Sequence, residues 1–397
     1  MLLPLSDAPN PGGRPFVTYG LIAANIIVYV LVSLPLGMRP PDTGSPAFQA
    51  YVELVQDQLP PGVPLRAALA NTSAYDLYVF DHGYKPAAPQ LADLFYSLFL
   101  HGGFLHLFGN MLFLWIYGDN VEYRLGRLAY LLWYLATGVA ATLFFAVFAL
   151  DSTVPLVGAS GAISGVLGFY FLWFPRNTVR LFVFLFPFFM NVVAVRARLV
   201  LGVYLLVDNL LPFLISTGGG GGVAHGAHIG GFVAGIAGAW MIDRWSVQSR
   251  KAGYAPEAAL DGAPAPAVGA AIAQGDMARA ATAYFALPAE QARRALRPEE
   301  SLALGHWLAA NGHGDAALVV YRRHLRDYPA HSSAAAAHLG AGLVQLQQLG
   351  QVAPAYQHFL DALDMDPDAE TAARARAALS QIAAVQKYNI GGRPPRG

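Results

Sequence analysis

The segment VGASGAISG, residues 157–165, is the most informative stretch of an otherwise strongly apolar region. Three glycines, two serines and two alanines stand there, where a membrane helix normally has leucine or valine. Small residues spaced four apart let two membrane helices approach each other backbone to backbone. The segment therefore predicts a tightly packed helix that carries a hydroxyl group at membrane depth.

The composition indicates a membrane protein. The chain has 397 residues, of which 55% are hydrophobic and 13% charged, whereas soluble proteins average about 25% charged residues. Lys+Arg and Asp+Glu both number 25, so no nucleic-acid partner is expected. Cysteine is absent, which excludes disulfides, thiol catalysis and cysteine metal sites. Because the N-terminal segment lacks a basic region and a cleavage site, the first apolar run is interpreted as a retained anchor.

Six apolar runs of a length that spans a bilayer predict six transmembrane helices. They lie near residues 17–38, 104–122, 127–150, 158–175, 198–215 and 223–242. Residues 180–196 are also apolar, but Pro187 and Asn191 at their centre favour a segment that lies in or dips into the membrane interface.

The distribution of basic residues supports this count. They cluster after the second, fourth and sixth spans, at Arg124, Arg127, Arg176, Arg180, Arg196, Arg198, Arg244, Arg250 and Lys251. The connections after the third and fifth spans have none. By the positive-inside rule, both termini are cytoplasmic. The predicted fold class is all-α: a polytopic bundle of six transmembrane helices over residues 1–251, followed by a soluble cytoplasmic helical-repeat domain.

The sequence changes character beyond residue 251. An Ala/Pro/Gly-rich linker is predicted over 252–270, amphipathic helices over 271–386 and a flexible tail over 387–397. Gly275, Gly314 and Gly350 precede Ala/Tyr-rich helices at intervals of 39 and 36 residues, close to the 34 of a tetratricopeptide repeat. The region resembles such repeats, which implies a cytoplasmic protein or peptide partner. An unrelated small helical bundle is the alternative.

Polar side chains at membrane depth are costly and indicate function. Ser160 opens the fourth span and His228 lies in the first turn of the sixth. Both spans run inward from the non-cytoplasmic face, so the two side chains are expected at the same depth and in hydrogen-bond contact. Four glycines would let these two helices touch: Gly161 and Gly165 on one, Gly231 and Gly235 on the other.

A serine next to a neutral imidazole indicates nucleophilic catalysis, since the base removes the hydroxyl proton. His106 and Asn110 are four residues apart and share one face of the second span. Their N–H groups and the Ser160 backbone N–H could stabilise an oxyanion. Asp208 is the one acidic candidate for a third member, and a Ser–His dyad is preferred.

Four motifs resemble the rhomboid family of intramembrane serine proteases. They are HGGFLHLFGN (101–110), YGDNVEYRLG (117–126), GASG (158–161) and AHGAHIGGFVAG (224–235). The resemblance covers residues 15–245 and implies Ser160 as nucleophile, His228 as general base, and His106 and Asn110 as oxyanion donors, with Gly158 shaping the turn. It implies structural roles for Glu122, Arg124 and Gly126, and a peptide-bond hydrolase without metal or cofactor. A location in a bacterial inner (plasma) membrane is expected from the architecture.

Three positions depart from the family pattern or remain open. Ser164 stands where many rhomboids have an aromatic residue that stacks on the catalytic imidazole. Residues 39–100 contain no tryptophan, whereas some rhomboids have a Trp-Arg pair in this loop. His101 aligns with a family histidine near the water entrance, and an interfacial histidine without a catalytic part is the alternative.

Other activities fit the sequence less well. HExxH, which a zinc intramembrane protease needs, is absent. An aspartyl type needs GxGD and YD within spans, but Tyr75-Asp76 lies in a loop and Gly118-Asp119 lacks the first glycine. His225 with His228 lacks a carboxylate or thiol to complete a metal site. Two alternatives remain: a catalytically inactive rhomboid-like protein that escorts membrane proteins, and a transporter, although no inverted repeat is visible. For a protease, the substrate is a transmembrane segment that unwinds near the non-cytoplasmic face.

Overall fold

The computed structural model describes residues 2–11, 13–60, 62–185, 189–215, 225–249, 266–288, 291–292 and 295–391. The chain divides into two compact units. The first comprises Met1–Asp7, Gly13–Pro175 and Val179–Ala239, and the second comprises Ala8–Gly12, Arg176–Thr178 and Trp240–Gly397.

The first unit is mainly helical. Helix α1 (Phe16–Val28) continues through a π-helical turn (Tyr29–Ser33) into α2 (Leu34–Gly37). There follow α3 (Pro46–Gln58), α4 (Leu65–Leu69), α5 (Ala74–His82), α6 (Asp93–Tyr96) with a 3-10 turn (Ser97–Phe99), α7 (Phe104–Leu125), α8 (Arg127–Val147), α9 (Ser160–Trp173), α10 (Ala197–Leu205), a second π-helical turn (Leu206–Leu210) and α11 (Leu211–Ile215). Helix α12 (His225–Ser249) begins in the first unit and continues into the second from Trp240.

Three helical stretches among the described residues are long and apolar enough to cross a membrane: Phe16–Gly37, Arg127–Val147 and Ala197–Ile215. A fourth is added if Asp93–Phe99 and Phe104–Leu125, which meet at a bend of 93°, form one broken span. Helix α9 is apolar but has only 14 residues. Apolar helices therefore lie where membrane spans are expected, and the number six stays a prediction.

A three-stranded sheet corrects the all-α expectation. Strands β1 (Leu2–Ala8), β2 (Thr178–Leu185) and β3 (Phe189–Arg196) pair in the order β1-β2-β3. Most of residues 180–196 are thus strand, where a segment in or dipping into the interface was predicted. Valine and phenylalanine in this stretch favour strands, but a short apolar run does not distinguish strand from helix by periodicity.

A buried carboxylate joins the beginning of α1 to the end of α7. Glu122 accepts hydrogen bonds from the backbone N–H of Val17 at 2.9 Å and of Thr18 at 2.7 Å, and from the Thr18 hydroxyl at 2.8 Å. The first N–H groups of a helix have no partner within the helix, and a negative charge there is favourable. The Arg124 guanidinium lies 4.1 Å from the Trp173 ring centre, and Gly126, at φ +80°, separates α7 from α8. These contacts are structural, as the family resemblance implied.

The second unit is a series of helices that each pack on their neighbours in sequence. They are α13 (Pro266–Ala273), α14 (Met277–Ala286), α15 (Pro298–Ala310), α16 (Gly314–Asp327), α17 (Ala334–Gln347), α18 (Val352–Asp364) and α19 (Ala369–Gly391). Residues 252–265 of the predicted linker lie outside the described residues, and α13 begins in the rest of the linker. Residues 392–397 of the predicted tail also lie outside them, and α19 ends in the rest of the tail.

The turns of the second unit contain glycines in a left-handed conformation. Gly275, Gly312 and Gly350 have φ of +76°, +78° and +64° and recur at intervals of 37 and 38 residues. Gly314, which was expected in the second of these turns, is instead the first residue of α16. A Cβ on Gly314 would lie 2.6 Å from Gln348 Oε1, so close packing explains that glycine.

Candidate active site

Helices α9 and α12 are in backbone contact through their glycines. A Cβ on Gly231 would lie 2.1 Å from the carbonyl oxygen of Gly161, and one on Gly235 would lie 2.0 Å from that of Gly165. Real Cβ atoms do not approach a backbone oxygen so closely, so no side chain fits at either position. The Ala227 carbonyl oxygen lies 3.9 Å from the Cβ position of Gly161, which brings the residues next to Ser160 and His228 together.

Ser160 is the first residue of α9 and is half-buried. The turn before it is held by the first loop: the Gly158 N–H donates to the Ser97 carbonyl at 2.8 Å, and Tyr84 and Leu156 exchange two backbone hydrogen bonds of 3.1 and 2.8 Å. Gly158 has φ +122°, a conformation that a side chain rarely allows. The loop thereby holds the turn that leads into Ser160.

His106 packs directly on Gly158. A Cβ at Gly158 would lie 2.8 Å from His106 Cε1, 2.9 Å from its Nε2 and 3.6 Å from Ser160 Oγ. On the other side of the ring, the Gly102 N–H donates to His106 Nδ1 at 3.4 Å. In neutral imidazole one nitrogen accepts and the other carries the proton. The proton of His106 is therefore on Nε2, the atom that faces Gly158 and Ser160.

Asn110 lies one turn further along α7 and is 8% exposed. In the part of the chain that the structure describes, its Nδ2 has no hydrogen-bond partner. An unsatisfied buried donor costs about 1–3 kcal/mol, so such a group in a native protein calls for an explanation. A ligand oxygen that binds beside His106 would provide the missing acceptor.

Asn209 orients the imidazole of His228. Its Nδ2 donates to the Tyr204 carbonyl at 2.8 Å, which fixes the amide so that Oδ1 faces His228. His228 Nδ1 lies 2.6 Å from this Oδ1 and must be the donor, because the oxygen carries no hydrogen. The Nε2 atom of neutral His228 therefore keeps a lone pair, which is the state a general base requires.

Tyr204 stacks on His228 and contacts Ser164. The two ring centres are 6.4 Å apart with an angle of 30° between the planes, and the Tyr204 hydroxyl lies 2.9 Å from Ser164 Oγ. An aromatic ring thus lies on the imidazole although position 164 is a serine. Helix α10 supplies the ring, and Ser164 holds it.

Asn209 and Tyr204 were missed in the sequence, where Asp208 was considered instead. Asp208 is exposed, whereas Asn209 is 1% exposed. Both lie in the π-helical turn Leu206–Leu210, whose extra residue changes which side chains face inward. The sequence did contain a signal for Asn209, because a polar side chain within an apolar span indicates a functional site.

His101 lies beside His106 but is completely buried. The two ring centres are 5.1 Å apart. The hydroxyl of Tyr75 donates to the His101 carbonyl at 2.8 Å and accepts its N–H at 3.1 Å. Among the described residues, neither ring nitrogen of His101 has a hydrogen-bond partner. The side chain is therefore a neighbour of the site rather than a residue exposed at its entrance.

Comparison with known proteins supports the rhomboid family for the first unit. Residues 88–245 match the family model described as Rhomboid domain. Rhomboid protein 1, mitochondrial, of Saccharomyces cerevisiae is 38% identical over 95 residues, which are 23% of this chain and 28% of the yeast protein. Rhomboid protease GluP of Bacillus subtilis is 46% identical over 69 residues, which are 17% of this chain and 13% of GluP.

RHOMBOID-like protein 4 of Arabidopsis thaliana is 36% identical over 143 residues, which are 34% of this chain and 30% of the plant protein. The chain thus spans less than a third of the length of each of these relatives. No solved structure matches it. Residues 88–245 contain the HGGFLHLFGN, YGDNVEYRLG, GASG and AHGAHIGGFVAG motifs, so the comparisons support the family resemblance for this segment.

Proposed function

We propose that the rhomboid domain at residues 88–245 is an intramembrane serine endopeptidase, in which Ser160 is the nucleophile and His228 the general base. The hydrogen bond between His228 Nδ1 and Asn209 Oδ1 is the observation that carries this proposal. A histidine that only fills space needs no fixed tautomer, whereas a base needs its lone pair presented at Nε2. The relationship to a protein named as a protease, GluP, adds support.

The first step forms a tetrahedral intermediate. Ser160 Oγ attacks the carbonyl carbon of the scissile peptide bond as His228 Nε2 takes the hydroxyl proton. The carbonyl oxygen becomes an oxyanion, which accepts hydrogen bonds from the Ser160 backbone N–H, His106 Nε2–H and Asn110 Nδ2–H. The Ser160 N–H is one of the unpaired groups at the N-terminus of α9, where the helix dipole also favours negative charge.

The second step releases both products. The oxyanion collapses, the C–N bond breaks, and the leaving amine takes the proton from His228 Nε2. A water molecule then attacks the ester carbonyl of the resulting acyl-enzyme while His228 accepts its proton. His228 returns that proton to Ser160 Oγ as the ester C–O bond breaks, which regenerates the serine hydroxyl. Neither step requires a cofactor, because base and oxyanion donors all come from the chain.

The substrate class follows from the location of the site. A residue at the membrane-embedded start of α9 can reach only peptide bonds that enter the bilayer. Since helical carbonyls are occupied by internal hydrogen bonds, the substrate is a transmembrane segment that unwinds locally. With six spans and both termini cytoplasmic, cleavage occurs near the non-cytoplasmic face of a plasma membrane. The tetratricopeptide-like helices at the C-terminus then bind a cytoplasmic protein or peptide.

Labelling of the purified protein with a fluorophosphonate, which reacts with activated serines, tests the proposal. We expect the wild-type chain to be labelled and to cleave a model transmembrane substrate. Ser160→Ala and His228→Ala should each abolish both signals, and the double variant should be no worse than either single variant, since the two residues act as one unit. Ser164→Ala, in the same helix, should still be labelled.

Absence of labelling in a folded wild-type protein that still binds membrane proteins would favour the inactive escort factor instead. Cleavage by Ser160→Ala above background would exclude Ser160 as the nucleophile. Circular dichroism of each variant separates loss of chemistry from loss of fold.

A further inference from the structure

The second unit brings two histidines and a carboxylate together on neighbouring helices. His338 lies on α17, and His358 and Asp361 lie on α18. His358 and Asp361 are three residues apart and therefore share one face of α18. Helices α17 and α18 pack closely against each other, and this places His338 opposite that face. All three residues are partly buried, so they are accessible to a small ion.

The three ligand atoms lie at distances suited to a single ion. His338 Nδ1 is 2.9 Å from His358 Nδ1 and 3.8 Å from Asp361 Oδ2, and all three atoms lie within 4.8 Å of one another. Zinc–nitrogen and zinc–oxygen bonds of about 2.0–2.2 Å in a tetrahedron separate ligand atoms by roughly 3.4 Å. The two contacts of His338 bracket this value, so movements of about half an ångström bring them to it.

The charges around the cluster favour a cation. Arg176, which belongs to the same unit, contacts Asp361 Oδ1 at 3.2 Å and Asp364 Oδ2 at 2.6 Å. Two carboxylates therefore face one guanidinium, which leaves a net negative charge. Arg176 contacts Oδ1 of Asp361, whereas His338 faces Oδ2. Such outer partners orient ligating carboxylates in metal sites.

We propose that His338, His358 and Asp361 bind one divalent transition-metal ion, with Zn²⁺ as the preferred ion. Two imidazoles and a carboxylate suit Zn²⁺, whereas Mg²⁺ and Ca²⁺ require mainly oxygen ligands. Three protein ligands leave a fourth coordination position for water or for a side chain of a bound partner. Since the ligands come from two successive helices, the ion cross-links α17 and α18.

Zinc titration of the full-length protein tests this site. The protein, without an appended histidine tag, is treated with a chelator and titrated with Zn²⁺ by isothermal calorimetry. We expect one ion per chain and a melting temperature that rises with zinc concentration, because an ion that binds only the folded state stabilises it. Mg²⁺ at the same concentrations should produce neither effect.

Variants locate the ion. His338→Ala and His358→Ala should each weaken binding by more than the roughly 10–100-fold that loss of an outer partner costs. The isosteric Asp361→Asn variant should also weaken it. His313→Ala removes an exposed histidine of the same unit and should leave zinc affinity unchanged. Co²⁺ should give the intense visible absorption of a four-coordinate site in the wild-type chain and lose it in Asp361→Asn.

Two results would overturn the proposal. One is a wild-type chain that binds no Zn²⁺ and gives no four-coordinate Co²⁺ spectrum, in which case the histidines form only a hydrogen-bonded pair. The other is zinc binding that persists in a folded His338→Ala/His358→Ala double variant, which would place the ion elsewhere. If the alanine variants fail to fold, the wild-type spectrum and the Asp361→Asn variant still decide between these outcomes.

Discussion

Two adjacent residues of one helix, Asp208 and Asn209, differ completely in their surroundings. The aspartate is exposed, whereas the asparagine is buried and bonded to His228. An ionised carboxylate at position 209 would have to be buried at a large desolvation cost. A neutral amide fixes the same imidazole tautomer without that cost. A hydrogen-bond acceptor for the base is therefore present, although the chain places no acid there.

Loss of Asn209 should slow the chemical step without changing substrate binding. We expect Asn209→Ala to lower kcat by less than the about 10²–10⁴-fold that a positioned base contributes, with KM unchanged, because His228 remains but is no longer held in one tautomer. Asp208→Asn is the matched control and should behave as wild type. Steady-state cleavage of a model transmembrane substrate measures both constants. Equal effects of the two substitutions would contradict a positioning role for Asn209.

The unpaired Nδ2 of Asn110 gives a second prediction at this scale. Removal of an oxyanion donor typically lowers kcat by about 10²–10³-fold. Asn110→Ala should fall short of that loss, because His106 and the Ser160 N–H remain, and His106→Ala should be at least as damaging. Thermal stability of Asn110→Ala should not fall, since a buried group without a partner is removed. Wild-type cleavage rates in both variants would contradict the role of His106 and Asn110 as oxyanion donors and would leave α7 with a packing role only.

At the scale of elements, the close contact between α9 and α12 depends on glycines of α12, where a side chain would clash with the backbone of α9. Gly231 and Gly235 lie against the carbonyl oxygens of Gly161 and Gly165, whereas a Cβ on Gly161 or Gly165 would instead meet Ala141 or Thr137 of α8. Helix α9 is only 14 residues long. It is also buried along nearly its whole length. A helix enclosed by protein has no need of the bulky apolar surface that lipid-facing helices present. This explains why residues 157–165 have so little side-chain volume.

Gly231→Ala should separate the two helices. The added Cβ would lie 2.1 Å from the Gly161 carbonyl oxygen, and overpacking of this kind costs about 1–3 kcal/mol. We expect a lower melting temperature and a lower cleavage rate, although Gly231 takes no part in the chemistry. Gly202→Ala on α10 is the control, since nothing lies within 4 Å of its Cβ position and alanine favours helix. Equal stability and activity of the two variants would rule out a tight α9–α12 contact.

At the scale of the whole molecule, the proposed catalytic residues Ser160 and His228 and the C-terminal helices lie in different units. Among the described residues, the hydrogen-bond partners of Gly158, of His106 and of His228 come from residues 88–245. A chain ended at Lys251 should therefore cleave a short model substrate in vitro at a rate close to that of the full chain. In cells it should lose selectivity or partner capture, because the helices that resemble peptide-binding repeats are removed. Complete inactivity of a folded, membrane-inserted 1–251 fragment would make the second unit part of the enzyme.

The sequence alone determined the predominantly helical fold, the positions of the apolar helices and the rhomboid motifs. These features are encoded locally, because an apolar run or a short motif can be recognised within a few residues, without knowledge of the tertiary contacts. Even the turn glycines were recognised, apart from the exchange of Gly314 for Gly312.

Tertiary structure alone decided the features that join distant residues. Strand β1 pairs with β2 across some 170 residues and forms a sheet that no local pattern required. Glu122 accepts the first N–H groups of α1, and Tyr204 replaces an aromatic residue that position 164 lacks. Asn209 reaches His228 because a π-helical turn changes the direction of one side chain. Each contact depends on where two separate segments meet, and only packing of the folded chain fixes that.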